Sequence, residues 1–139
     1  MLGKQHTWPA DGEIDIIEGV NDQVYSESTL HTKRGCSVKG VPGSKFSGKR
    51  MLKYGQVATD CAAYGRSQGC GIRSADDSLG KRLEAKGGGT WMMVWTKSQP
   101  GVHVGSISLW FRPRGRRGKP VEPDAVSGVP KSFGKPYAY

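Results

Sequence analysis

The chain has 139 residues, 21 glycines, 8 prolines and 35% hydrophobic residues, with a net charge of +9. That is one domain's length, turn-rich in the manner of β structure. It contains no run of about 18 apolar residues that could cross a membrane as a helix. It also has no apolar stretch of signal-peptide length in its opening MLGKQHTWPADG.

The first informative stretch is WPADGEIDIIEGVND at residues 8–22. Between Gly12 and Val20 it is rich in β-branched residues and bounded by Pro9, Gly12 and Gly19, which predicts a strand with turns at both ends. A helix is excluded because Glu13, Asp15 and Glu18 would intermix with the three isoleucines all around the wheel. On a strand, Glu13 and Asp15 share one face and Ile14 and Ile16 the other, while Glu18 falls one residue out of step. A β-bulge near Ile16–Ile17 restores Glu18 to the acidic face.

Further along, VYSESTLHT (24–32) alternates as a neighbouring strand, and GTWMMVWT (89–96) and VGSISLWFRP (104–113) read as two more. Residues 33–88 have no helical period of useful length and are expected to be loops, with a short strand near Tyr54–Thr59. Trp91, Trp95 and Trp110 lie in alternating strands and are assigned to the core. After Pro113 the chain is basic and Pro/Gly-rich, with no obvious closing strand.

Charge is unevenly spread. Residues 1–30 hold six acids and one base, net −5, leaving +14 on residues 31–139. The densest basic patch, RPRGRRGKP (112–120), accompanies no zinc-finger spacing, no RNA-binding signature and no amphipathic basic helix, so neither a nucleic-acid nor a membrane partner is expected. Three cysteines, Cys36, Cys61 and Cys70, form no CxxC pair, which argues against structural zinc. Cys61 and Cys70 flank the short loop AAYGRSQG and could be bridged in an oxidising compartment, leaving Cys36 without a partner in this chain.

Carboxylates in an apolar run cost several kcal/mol unless paired, solvated or used. From the residues alone, Glu13, Asp15 and Glu18 fit a solvated strand face, a pair of catalytic carboxylates flanking a glycosidic bond, or a cation site. The last lacks EF-hand spacing and a second oxygen cluster. His31 alone fits a hydrogen-bonded structural histidine as well as a site residue. Trp8, beside a proline on a loop, is the better candidate for an exposed aromatic platform.

The run Glu13-Ile-Asp15-Ile-Ile-Glu18 resembles the catalytic signature of glycoside hydrolase family 16 in its bulged form. WPADGEIDIIEGVND, TLHT, the cysteine neighbourhoods GC and DC, GGGTWMMVWT and LWFRPRG also follow in the order of fungal endo-1,3(4)-β-glucanases, from about Thr7 to Tyr139. The resemblance implies an all-β, concanavalin A-like jelly-roll β-sandwich with a β-glucan across its inner sheet. It implies Glu13 as nucleophile, Glu18 as acid/base and Asp15 orienting the pair, with Trp8 and His31 binding substrate. It further implies no metal, no cofactor, a monomer, and an extracellular or cell-wall location for the full-length protein. Family domains are longer than this chain, so residues 1–139 are expected to be a partial catalytic domain, incomplete at both ends. Val94 departs from the family pattern, where a Glu commonly precedes the second aromatic of that strand.

Overall fold

The computed structural model describes residues 7–65, 68–96, 106–114 and 134–138. Among these residues eight strands follow in order: β1 (Glu13–Glu18), β2 (Glu27–His31), β3 (Lys49–Arg50), β4 (Leu52–Lys53), β5 (Gln56–Val57), β6 (Cys70–Arg73), β7 (Gly89–Thr96) and β8 (Ser106–Pro113). One short helix, α1 (Gly80–Ala85), precedes β7, and a single 3-10 turn covers Gly43–Lys45. The main sheet runs β1-β2-β6-β3, antiparallel throughout, beside two antiparallel pairs, β4-β5 and β7-β8.

The strands at 12–20 and 24–32 are present in trimmed form, and residues 104–105 of the last predicted strand lie outside the described residues. The expectation of loops over 33–88 is wrong in three places. CGIR forms β6 in the middle of the main sheet, Lys49–Arg50 forms its edge, and GKRLEA forms α1. The short strand expected near Tyr54–Thr59 is instead a hairpin, Leu52 opposite Val57 and Lys53 opposite Gln56, with Tyr54 and Gly55 as its turn. Most of the basic patch at 112–120 lies outside the described residues.

Two layers enclose the core. The back of the main sheet supplies Ile72 and Ile16, and β7-β8 supplies Leu109, Trp91, Met93 and Phe111; Phe46, Tyr137 and Ala138 lie buried between them. Trp91 and Phe111 are register partners with ring centroids 4.6 Å apart. Trp110 is buried on the other side of β8 and donates its Nε1–H to the Gly134 carbonyl at 3.0 Å. Trp95, assigned to the core from sequence, is 60% exposed. It shares the parity of Trp91 and Met93 but lies where β7 runs beyond the buried cluster. A cavity of about 460 Å³ opens between the layers, lined by groups such as Ile14, Leu30, Cys61, Ile72 and Leu109. Although no closing strand was expected after Pro113, Ala138 bridges Leu109 and brings Tyr137 into the core.

The bulge lies where the acid spacing predicts. Asp15 opposes Thr29 and Glu18 opposes Glu27, so Ile16 and Ile17 together face Ser28. Its freed backbone is satisfied from behind: Ser28 Oγ donates to the Ile16 carbonyl at 2.6 Å, and the Tyr137 hydroxyl lies 3.3 Å from the same carbonyl and also against Ser28 Oγ. Burial raises the Tyr137 phenol above its ordinary value, with the Ser28 bond opposing, so it stays a neutral hydroxyl there. Removing one member of a buried hydrogen-bonded group costs about 1–3 kcal/mol. Ser28→Ala is therefore expected to lower the unfolding free energy by about that amount in urea denaturation, and an unchanged midpoint would show that the bulge does not depend on this contact.

Candidate active site

The bulge sorts β1 into two faces. Ile14 and Ile16 turn to the core, and Glu13, Asp15 and Glu18 share the opposite face, since their register partners His31, Thr29 and Glu27 are spaced by two along β2. Each carboxylate has a partner. Trp8 donates its indole N–H to Glu13 Oε2 at 2.7 Å, His31 Nε2 lies 3.1 Å from Asp15 Oδ2, and Thr29 Oγ1 donates to Glu18 Oε2 at 3.0 Å.

Local structure brings Trp8 there. Asp11 Oδ2 accepts from both the backbone N–H and the hydroxyl of Thr7, each at 3.1 Å, and Ala10 N–H donates to the Thr7 carbonyl at 2.6 Å. This closed turn carries the indole back over β1. Its ring, 55% exposed, lies 6.2 Å from that of His31. His31 in turn needs Gly69: a Cβ on that residue would stand 2.8 Å from His31 Nδ1, and its φ of +83° also favours glycine.

The face extends across the sheet in rows. Glu13 pairs with His31; Asp15 aligns with Thr29 and then Gly71; Glu18 aligns with Glu27, Arg73 and Lys49. Arg73 also ion-pairs with Asp76 and stacks on Tyr25, its guanidinium carbon 3.7 Å from the ring centroid. Glu27, a fourth carboxylate beside Glu18, and Thr29 were missed from sequence. The alternation of VYSESTLHT was visible, but which of its residues meets Glu18 depends on the bulge.

Electrostatics set the acids apart. Desolvation, followed by the charge of Glu13, raises the Asp15 carboxyl above its ordinary value of 3.8, with Glu18 adding and His31 opposing. Desolvation and the neighbouring charge of Glu18 raise Glu27, against Lys53 and Arg73. Ligating atoms of Glu13, Asp15 and His31 lie within 4.8 Å of one another, so the trio could geometrically chelate a small cation. Two of those groups already have donors in Trp8 and His31. Cys61 and Cys70 are joined as a disulfide, and Cys36 is free and exposed.

Because Asp15 holds its proton more tightly folded than unfolded, the native state binds more protons between pH 3.8 and its raised value. Stability attributable to this group is therefore greatest at low pH and falls as pH rises through that window. Asp15→Asn keeps an oxygen for His31 and removes the partly desolvated charge. It is expected to be more stable than the parent at pH 7, with the gain vanishing below pH 3.8, as read by urea denaturation across pH. No gain at pH 7 would contradict this.

A model of the XgeA-like catalytic domain of glycoside hydrolase family 16 matches residues 1–139. A probable endo-1,3(4)-β-glucanase of Aspergillus fumigatus is 34% identical over 134 residues, covering 95% of this chain and 18% of that protein. The endo-1,3(4)-β-glucanase xgeA of Emericella nidulans is 31% identical over 134 residues with the same coverage. Among solved structures, an elongating family 16 β-1,3-glucosyltransferase superposes with a TM-score of 0.72 at 31% identity, covering 99% of this chain and 40% of that one. Laminarinase 16A of Phanerochaete chrysosporium, with β-glucans in donor and acceptor sites, superposes with a TM-score of 0.70 at 31% identity, covering 98% and 42%. The chain thus spans about a fifth of these curated relatives. Its all-β architecture is that of the jelly-roll β-sandwich of these neighbours. The match over residues 1–139 and the likeness to both sets of relatives lead to one conclusion: the chain belongs to glycoside hydrolase family 16.

Proposed function

We propose that residues 1–139 form part of a catalytic domain that hydrolyses 1,3- or mixed 1,3/1,4-linked β-glucans internally, with retention, by double displacement. The observation that carries this reading is the bulge between Asp15 and Glu18, which puts three carboxylates on one face of a strand. Two such groups are what glycoside hydrolysis needs, one ionised and one protonated.

In the first step the Glu13 carboxylate attacks the anomeric carbon. The bond to the leaving sugar breaks, and its oxygen takes the proton of Glu18. In the second, Glu18 removes a proton from water, the water oxygen attacks the same carbon, and Glu13 leaves as carboxylate. The Trp8 N–H holds the Glu13 carboxylate in place through a hydrogen bond of 2.7 Å. Asp15, held by His31 between the two, orients them and shares the negative field. Trp8 offers an exposed aromatic face to a sugar, and His31 lines the cleft beside it. The whole protein, on this reading, acts as an extracellular or cell-wall monomer on β-glucan, with no cofactor. No helix among the described residues is long and apolar enough to cross a membrane.

One observation favours a second reading. The glucosyltransferase among the structural neighbours supports transfer of the glycosyl group to a sugar hydroxyl in place of water. Chain-length redistribution of laminari-oligosaccharides without net release of reducing ends would select transfer over hydrolysis.

Acid/base groups contribute about 10²–10⁴-fold to rate. Glu18→Gln and Glu13→Gln are each expected to lower reducing-end release from laminarin and lichenan by at least that range. Retention is checked by following the anomer of the first product by NMR. Loss of neither activity nor stereochemical control in these variants would defeat the assignment. Trp8→Phe separates two roles of one side chain: it keeps an aromatic face and removes the donor to Glu13. Turnover should fall by roughly ten- to a hundredfold, as expected for one hydrogen bond to a charged group, with glucan affinity retained. Equal loss of affinity would show that the indole acts mainly as a platform.

A further inference from the structure

Beyond the carboxylates, the backbone with least local justification is the turn of the β4-β5 hairpin. Both its central residues are left-handed, Tyr54 at φ +52° and Gly55 at φ +79°, the pattern of a tight hairpin turn that favours Asn-Gly or Asp-Gly. A bulky side chain in that conformation is uncommon and strained. Packing does not compensate, because Tyr54 is 76% exposed, and Leu52 and Val57 at the foot of the hairpin are exposed too. Strain retained at an exposed position points to use rather than to folding.

The hairpin grows from the carboxylate face. Met51, just before β4, donates its backbone N–H to the Gly71 carbonyl at 2.9 Å. A Cβ on Gly71 would stand 3.2 Å from Met51 Cγ and 3.3 Å from Thr29 Oγ1. Met51 therefore lies over the absent Gly71 side chain, next to the threonine that donates to Glu18. On the same side, the charge of Lys53 acts on Glu27. Trp8 stands over β1 at one edge of the sheet order β1-β2-β6-β3, and the hairpin follows β3 at the other. Three strand spacings separate those edges, about 14 Å, a distance that an oligosaccharide crossing the strands can span.

We propose that Tyr54 is a second sugar platform, stacking on a glucosyl unit of a β-glucan that crosses the carboxylate face from the Trp8 side. The inference rests on the β-glucan reading above. One aromatic ring with two exposed aliphatic neighbours, Leu52 and Val57, suits the apolar face of a single sugar ring. A protein partner would require a far larger surface.

Calorimetric titration of the chain with laminaribiose and laminarihexaose tests the proposal. Tyr54→Asn removes the ring and supplies a residue the turn favours, so a disordered hairpin cannot account for lost binding. It should weaken laminarihexaose roughly three- to tenfold, as an aromatic contact does, and leave laminaribiose unchanged. Tyr54→Phe should restore parental affinity, and Trp8→Ala should weaken both ligands. If Trp8→Ala weakens laminarihexaose and Tyr54→Asn does not, the platform is refuted while the glucan reading stands. Equal loss for both ligands in Tyr54→Asn also refutes it, because a distant platform cannot sense the short sugar. Absence of saturable binding by the parental chain overturns both readings.

Discussion

The site depends on a carbonyl. Adding one residue to β1 between Asp15 and Glu18 frees the Ile16 C=O from the ladder, and Ser28 and Tyr137 accommodate it from within the core. Without that arrangement the strand would keep strict alternation, and Glu18 would face the apolar layer with Ile14 and Ile16. A carboxylate turned into that layer would carry a desolvation cost of several kcal/mol. The bulge therefore settles both problems of this sequence together: it keeps acids out of the core and gathers them on one surface.

Gathering them has its own cost, and the surrounding residues reduce it. Glu13, Asp15, Glu18 and Glu27 repel one another on adjacent positions of two strands. Trp8, His31 and Thr29 each contribute a hydrogen bond or ion-pair contact to one acid, and Arg73 and Lys53 offset the charge of Glu27. None of these partners brings two like-charged acids into a neutral pair. The face stays electronegative, and desolvation together with mutual repulsion, which raise Asp15 and Glu27, oppose folding.

The strand and its bulge were legible in GEIDIIEG because three acids spaced by two and then three cannot share a strand face any other way. What lay across the sheet was not. Glu27 and Thr29 acquire their positions only through register, and ESTLH has the same composition whichever residue meets Glu18. CGIR is four residues bounded by glycine, too short for its alternation to stand out, yet it occupies the centre of the main sheet. GKRLEA makes fewer than two helical turns, below the length at which an apolar period can be recognised. Trp95 followed the parity of its strand correctly and was still misjudged, since parity gives the face and not how far the opposing layer extends. Tyr137, in a Pro/Gly-rich tail, gave no signal that it would end beside Ser28.

That last contact has a consequence in time. Tyr137 meets Ile16 across 121 positions of sequence and Ser28 across 109. Closing so long a loop costs entropy before any contact rewards it, and contacts of this span slow a β domain's folding. The hairpin of β1 and β2 is local by comparison. Strand β1 can therefore find its partner early, while the Tyr137 contact behind its bulge waits until the chain has reached residue 137.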